Sequence, residues 1–234
     1  MKAMFREKYV FIVCMALALL IMNSCEASTR ILFIGNSYTY FNDGIDKQLE
    51  GLAPSIKTMR LAPGGYTLER HWNDGKALQT IRQGGWDYVV LQEQSQIPIL
   101  DRKKFYDFAR KFDREIRQIG ARTILLMTWE RPDSLSYGVT TVNLAETYKA
   151  LGAELGAVVA PAGLAFARSL GSKPNLVLYN YDGHPTKEGT YLAACVLYGI
   201  IFKHSPAGNH YSDKNISAQN RTYLQAIAAE STGY

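Results

Sequence analysis

Cysteine is scarce in this chain, and its scarcity excludes two kinds of protein. Only three of the 234 residues are cysteine, and Cys14 lies within an apolar N-terminal segment. The remaining two, Cys25 and Cys195, cannot supply a disulfide framework or a cysteine-ligated metal cluster. Cys195 falls in an apolar helical pattern, so we expect it to be buried as a small hydrophobic residue.

A strong excess of charge is also lacking. The formal net charge is +5, and removal of residues 1–24, which hold three basic residues and one acidic residue, lowers it to +3. The basic residues that remain are dispersed, and many share one predicted helix (101–119) with acidic residues. So small and scattered an excess indicates a solvated surface rather than a nucleic-acid partner.

The glycine-rich loops that bind phosphate are missing. No Gly-x-Gly-x-x-Gly follows the first predicted strand, and the chain has no Walker-type Gly-Lys-Ser. A flavin or nucleotide protein built on a similar sheet therefore fits poorly. We expect neither a cofactor nor a metal ion in this protein.

The longest hydrophobic run is too short to cross a membrane comfortably. Basic residues at positions 2, 6 and 8 precede an uncharged segment, Val10 to Met22, and small residues follow at 24–28. This layout predicts a secretory signal peptide over residues 1–27 and export to the periplasm or outer surface. The alternative is a membrane anchor that stays attached.

The end of the leader allows two cleavage sites. Met22-Asn23-Ser24-Cys25 resembles a bacterial lipobox, in which the cysteine is lipidated, although Met22 stands where leucine is usual. An ordinary cut after Ala27 is the alternative. No repeat or linker interrupts the remainder, and residues 28–234 are enough for one domain with a full core.

Strand-like and helix-like segments alternate along that domain. Strands are predicted near residues 30–35, 56–62, 86–92, 123–128 and 157–160. Helices are predicted near residues 42–52, 67–81 (with a break at Gly75), 101–119, 142–155, 186–202 and 223–229. This alternation predicts an α/β fold with a parallel sheet covered by helices on both faces.

Two of the loops carry the chemistry of nucleophilic catalysis. In parallel sheets, sites form at the carboxyl ends of strands, where Ser37 follows the first strand. His184 lies with Asp182 on the loop before the last long helix. A neutral imidazole can take the proton of a serine, and a carboxylate can fix its tautomer. His71 could line this site, but we expect it to be a packing residue.

Three segments together resemble blocks of the SGNH (GDSL-like) hydrolases. They are Ile-Leu-Phe-Ile-Gly-Asn-Ser-Tyr-Thr at 31–39, Pro-Gly-Gly-Tyr-Thr-Leu at 63–68 and Asp-Gly-His-Pro at 182–185. The resemblance implies a flavodoxin-like three-layer α/β/α sandwich that hydrolyses carboxylic esters. It implies that Ser37 is the nucleophile and also offers its amide to the oxyanion, that Gly65 offers another amide, and that His184 is the base.

The chain departs from the family pattern in two places. The third block of the family carries an asparagine that donates to the oxyanion, whereas this chain has Gln-Glu-Gln-Ser-Gln at 92–96. Gln96 or, in another register, Gln94 would take that role. The family also places its aspartate three residues before the histidine, whereas Asp182 is only two before His184. Either Asp182 still orients the base, or the site is a Ser-His dyad.

These patterns predict an exported serine esterase that removes O-acetyl groups from carbohydrate. Aromatic residues near the predicted site could stack on sugar rings. The expected partner is a small-molecule or polysaccharide ester, with membrane contact only through a lipid anchor at Cys25. The alternative is a non-catalytic, glycan-binding surface lipoprotein that has kept the fold.

Overall fold

Five short strands form one parallel sheet at the centre of the molecule. The computed structural model describes residues 28–234, so the predicted signal peptide and Cys25 lie outside the described residues. The strands are β1 (Arg30–Ile34), β2 (Lys57–Leu61), β3 (Tyr88–Leu91), β4 (Arg122–Leu126) and β5 (Val158–Ala160). Their order in the sheet is β2-β1-β3-β4-β5, and every neighbouring pair is parallel.

Helices connect the strands and complete the chain. In chain order they are α1 (Ser37–Tyr40), α2 (Ile45–Leu52), α3 (Leu68–Asp74), α4 (Lys76–Arg82), α5 (Ile97–Leu100), α6 (Arg102–Gln118), α7 (Thr141–Leu155), α8 (Ala162–Ser172), α9 (Lys187–Phe202) and α10 (Ala218–Thr232). A 3₁₀ helix, Pro132–Tyr137, precedes α7. None of the helices described is both long and apolar enough to cross a membrane.

Hydrophobic residues alternate along the strands and fill two cores. Ile31 and Phe33 pack into a core with α2, α8, α9 and α10. Leu32 and Ile34, which point to the opposite face, pack into a core with α3, α4, α6 and α7. The three-layer α/β/α sandwich predicted from the sequence is confirmed. Cys195 lies in the first core without any exposed surface, as expected.

The start of the second helix differs from the prediction. The helix expected over 42–52 begins only at Ile45, because Asn42 and Asp43 have left-handed backbone angles (φ 54° and 67°). The side chain of Asn42 instead donates to the carbonyl of Pro185 at 2.8 Å and to Thr190 Oγ1 at 3.0 Å. These bonds tie the segment after β1 to the start of α9.

Glycines account for one predicted break between helices and for the close packing of one helix that was not predicted. Gly75 has φ +77° and divides the predicted 67–81 segment into α3 and α4, as expected. Helix α8, which contains Gly163 and Gly171, was not predicted from the sequence. A Cβ at Gly163 would lie 2.1 Å from the carbonyl oxygen of Thr128. The glycine therefore allows α8 to lie directly against the chain after β4.

Candidate active site

Ser37 is the first residue of α1, directly after the carboxyl end of β1. Asn36 caps this short helix, since its Oδ1 accepts a hydrogen bond from the amide of Tyr38 at 3.1 Å. The amide of Asn36 donates to Oε1 of Gln92 at 2.8 Å. A Cβ at Gly35 would lie 2.6 Å from that same oxygen, so glycine is required here. The turn that carries Ser37 is thus fixed to the end of the neighbouring strand β3.

The structure brings Ser37, His184 and Asp182 into one chain of hydrogen bonds. Ser37 Oγ lies 2.8 Å from His184 Nε2, and His184 Nδ1 lies 2.8 Å from Asp182 Oδ2. The hydrogen bond to the imidazole holds the pKa of Asp182 below its ordinary value. An ionised carboxylate at this place favours the tautomer with hydrogen on Nδ1 and leaves Nε2 free to accept the proton of Ser37.

A left-handed glycine accounts for the short spacing between Asp182 and His184. Gly183 has φ +83°, and a Cβ on it would lie 1.9 Å from the hydroxyl oxygen of Tyr38. Only glycine combines this conformation with so close an approach. The tight turn places the carboxylate beside the imidazole although the two residues are only two apart in sequence.

Two side chains after β4 hold that turn and were not predicted from the sequence. Trp129 Nε1 donates to the carbonyl of Gly183 at 3.0 Å, and Arg131 Nη1 donates to the carbonyl of Asp182 at 2.8 Å. The Trp129 ring stacks on Tyr38, with centroids 5.0 Å apart. Their position after a carboxyl strand end was the available signal, because such loops form sites in parallel sheets.

Phe41 packs against the imidazole of His184. The two rings are stacked, with centroids 4.2 Å apart and an interplanar angle of 20°. The His184 side chain is consequently about one quarter exposed, whereas the Asp182 side chain is 65% exposed. The base is therefore confined by an aromatic ring, while its carboxylate partner faces solvent.

An open cleft of about 400 Å³ surrounds the Ser37–His184 pair. Its walls include Gly65 from the loop after β2, Gln94 from the loop after β3 and Arg131 from the loop after β4. The strand order reverses between β1 and β3, so the cleft opens at the topological switch point of the sheet. A larger, mainly apolar cavity of about 500 Å³ lies between α7 and α8 and contains none of the predicted site residues.

Two backbone amides in the cleft are available to an anion. Within residues 28–234, neither the amide of Ser37 nor that of Gly65 donates a hydrogen bond. Gly65 has φ +69°, and a Cβ there would meet no atom within 4 Å. The loop of Gly65 is tethered to the nucleophile turn, because Asn36 Nδ2 donates to the carbonyl of Tyr66 at 2.9 Å.

The two glutamines proposed from sequence occupy different positions. Gln94 lines the cleft, and its Oε1 accepts from the amides of Gln96 and Ile97 at 2.9 and 3.3 Å. Its Nε2 forms no hydrogen bond to the described residues. Gln96 instead precedes α5 and does not contribute to the cleft wall. Simple register favoured Gln96, whereas the cleft lining includes Gln94 and not Gln96.

Gln92 and Glu93 are buried polar residues that the sequence did not single out for function. Gln92 Oε1 also accepts from Thr39 Oγ1 at 2.8 Å, and its Nε2 donates to the carbonyl of Glu93 at 2.6 Å. Glu93 has no exposed surface and accepts from the amides of Leu68 and Gln94. Two adjacent polar side chains directly after a buried strand were the signal for them.

His71 lies beneath the nucleophile turn rather than in the cleft. It is buried, and its Nε2 lies 2.7 Å from the carbonyl oxygen of Gly35. Burial lowers the pKa of His71, so the ring is neutral and donates from Nε2. The expectation of a packing histidine agrees with this placement.

Solved structures provide the comparison, since no family model and no curated protein matches the chain. A protein from Slackia heliotrinireducens assigned as an SGNH hydrolase is 27% identical, with a TM-score of 0.64 over 73% of this chain and 97% of that one. A DUF4886 family protein from Bacteroides uniformis is 18% identical, with a TM-score of 0.71 over 88% and 95%. A member of the lipolytic G-D-S-L family from Veillonella parvula is 13% identical, with a TM-score of 0.62 over 75% and 100%.

The match covers 95% or more of the length of each of these three structures. The structural similarity therefore extends beyond the sequence blocks at 31–39, 63–68 and 182–185 to about three quarters of this chain. This chain has the fold of the SGNH (GDSL-like) hydrolases.

Proposed function

We propose that the protein is a serine-dependent carboxylic ester hydrolase. Ser37 is the nucleophile, His184 is the general base and Asp182 orients the imidazole. The observation that carries the proposal is the pair of 2.8 Å contacts that link these three side chains at the base of an open cleft. This arrangement is the geometry that acyl transfer to a serine requires.

The reaction begins when Ser37 Oγ attacks the carbonyl carbon of the ester and its proton passes to His184 Nε2. The carbonyl oxygen becomes an oxyanion, which the amides of Ser37 and Gly65 and the side-chain amide of Gln94 stabilise. The tetrahedral intermediate collapses, and the alcohol leaves with the proton from His184. Water then attacks the acyl-serine with His184 again as base, which releases the acid and restores Ser37.

The substrate we propose is an O-acetyl group on a carbohydrate. A cleft of about 400 Å³ accommodates a small acyl group together with part of a sugar. Tyr40 lies on the cleft wall, and Tyr181, next to Asp182, is 79% exposed. Exposed aromatic rings with a polar tip are suited to contact both the apolar faces and the hydroxyl groups of sugars.

Turnover of p-nitrophenyl acetate by the purified mature domain tests the activity. We expect release of p-nitrophenol that Ser37→Ala abolishes, and faster turnover of acetyl than of octanoyl esters. Release of acetate from an acetylated oligosaccharide tests the substrate class. Absence of Ser37-dependent turnover on every short-chain ester, with retained glycan binding, would instead support the non-catalytic alternative.

We further propose that the chain is exported and anchored by lipid at Cys25. The support is the sequence pattern of residues 1–27 alone, in which Met22 departs from the lipobox. Labelling of the full chain with palmitate in a bacterial host tests it, with Cys25→Ala as the control. Unlabelled protein that begins at Ser28 would show the ordinary cleavage after Ala27 instead.

A further inference from the structure

Two adjacent side chains at the end of β3 reach two different loops of the cleft. Gln92 accepts from the amide of Asn36 and so holds the turn that carries Ser37. Glu93 points the other way, because successive side chains of an extended chain alternate, and it reaches the start of α3. The end of β3 is therefore connected to both neighbouring parts of the site.

The carboxyl group of Glu93 joins the loop after β2 to the loop after β3. Its Oε1 lies 2.7 Å from the amide nitrogen of Gln94 and 3.2 Å from that of Leu68, and its Oε2 lies 3.3 Å from the Leu68 nitrogen. Leu68 is three residues after Gly65. Both residues that accompany Ser37 as oxyanion donors in the proposed mechanism therefore belong to segments fixed by this one side chain.

The surroundings of Glu93 offer little compensation for its charge. The side chain is fully buried, and the charged or titratable groups that act on it are Glu69 of α3, Lys104 of α6 and Tyr148 of α7. Lys104 is itself paired with Glu69 and Asp101 on the surface. Burying an acid without a cationic partner is costly, so its presence calls for a role beyond filling space.

We infer that Glu93 is a positioning residue that fixes the distance between the Gly65 amide and the Gln94 side chain. This inference rests on the proposed ester hydrolase activity. A buried oxygen that accepts from two amides allows neither segment to shift without leaving an amide unpaired. Displacement of reacting or stabilising groups by about 1 Å can cost about 100-fold in rate.

Substitutions at position 93 distinguish the effect of the acceptor oxygen, which bridges the two loops, from the effect of the carboxylate charge. Glu93→Gln keeps an Oε1 that can accept from both amides, so we expect kcat within about 5-fold of the parent. Glu93→Leu removes every acceptor, and we expect kcat to fall about 100-fold with little change in KM, because the donors act mainly in the transition state. If the leucine variant does not fold, Glu93→Asp takes its place in the test. This variant retains the acid but is shorter by one methylene, so its kcat should lie between the values expected for the Gln and Leu variants.

A double-variant cycle tests whether Glu93 acts through Gln94. In a Gln94→Leu background one of the positioned donors is already absent. Glu93→Leu should then lower kcat by about 10-fold or less, instead of the loss of about 100-fold expected in the parent. Glu154→Gln, which changes a surface carboxylate on α7, is the matched control and should leave kcat unchanged. Melting temperatures measured alongside identify variants that have lost the fold.

The outcomes separate this inference from the proposed function. If the parent shows no Ser37-dependent turnover, the proposed activity fails. If the parent is active but Glu93→Leu and Glu93→Asp keep its full kcat, the positioning role alone is overturned. Equal losses for Glu93→Leu in both backgrounds, or a Gln variant as impaired as the Leu variant, also overturn it.

Discussion

The carboxylate of Asp182 contacts His184 twice, through the imidazole and through the backbone. Its Oδ2 lies 2.8 Å from Nδ1, and its Oδ1 lies 3.1 Å from the amide nitrogen of the same histidine. The second contact is that of an Asx turn, which a spacing of two residues allows and a spacing of three does not. The unusual spacing therefore gives the acid a fixed orientation toward the base.

The first prediction concerns this orientation. Asp182→Asn removes the negative acceptor for Nδ1–H and permits the opposite tautomer, so we expect kcat/KM to fall about 10²- to 10⁴-fold. Steady-state turnover of a short-chain ester measures it. The hydrogen bond from His184 lowers the pKa of Asp182, which favours the charged carboxylate that the asparagine variant lacks.

The control for this prediction is Asp107→Asn. Asp107 is a surface acid on α6, paired with Lys103, and its loss should leave turnover unchanged. A decrease of less than about 10-fold for Asp182→Asn would show that Ser37 and His184 act as a dyad.

The second prediction concerns the glycine between the acid and the base. Gly183 and Gly208 have the same φ of +83°, but only a Cβ at Gly183 would meet a neighbour, at 1.9 Å from the Tyr38 hydroxyl. Both alanine variants should lose about 1–2 kcal/mol of stability from the left-handed conformation. Only Gly183→Ala should also displace His184 and lower kcat, by about 100-fold. Equal activity of the two variants would contradict the steric argument.

The third prediction separates the two glutamines. Gln94 lines the cleft with its Nε2 unpaired among the described residues, whereas Gln96 lies outside the cleft wall. We expect Gln94→Leu to lower kcat about 10²- to 10³-fold, the usual effect of losing one oxyanion donor. The kcat of Gln96→Leu should remain near the parental value. A large loss for Gln96→Leu with little loss for Gln94→Leu would instead support Gln96 as the oxyanion donor, the register first expected from the sequence.

The strands and the two central catalytic candidates, Ser37 and His184, could be predicted from the sequence, because strands follow hydrophobic patterns and these two residues lie in short recognisable motifs. All five predicted strands are present in the parallel sheet. The parallel-sheet rule placed Ser37 at the carboxyl edge, and His184 was expected there if the loop before the last long helix returns to that edge. The 2.8 Å contact between the two side chains shows that it does. The residues that support them depend on side-chain directions after the strands. Trp129 and Arg131 contact the loop of Asp182 and Gly183, which is distant in sequence, so no local spacing indicated their partners.

Glu93 shows a second limit of the sequence. An acid in a polar segment such as Gln-Glu-Gln-Ser-Gln reads as a solvated loop residue, and only the packing of α3, α6 and α7 reveals that it is buried. Its environment leads to the last prediction, which concerns stability and is independent of activity.

Burial raises the pKa of Glu93 from its ordinary value of 4.5 to about 7. The folded protein therefore holds this proton to a higher pH than the unfolded chain, so its contribution to stability is full below pH 4.5 and is lost as the pH rises to about 7. The shift corresponds to about 3 kcal/mol. Glu93→Gln is neutral at every pH and should not show this loss.

Thermal unfolding of the parent and of Glu93→Gln at a series of pH values measures the effect. The melting temperature of Glu93→Gln minus that of the parent should increase by about 6–12 °C between pH 4.5 and pH 8. This is the change expected for about 3 kcal/mol in a domain of this size. Glu115→Gln is the contrasting control, because the hydrogen bond from Arg82 lowers the pKa of Glu115. The melting temperature of Glu115→Gln relative to the parent should change only below about pH 5, where it should fall as the pH rises. A constant difference for Glu93→Gln across the neutral range would show that Glu93 ionises as an ordinary acid.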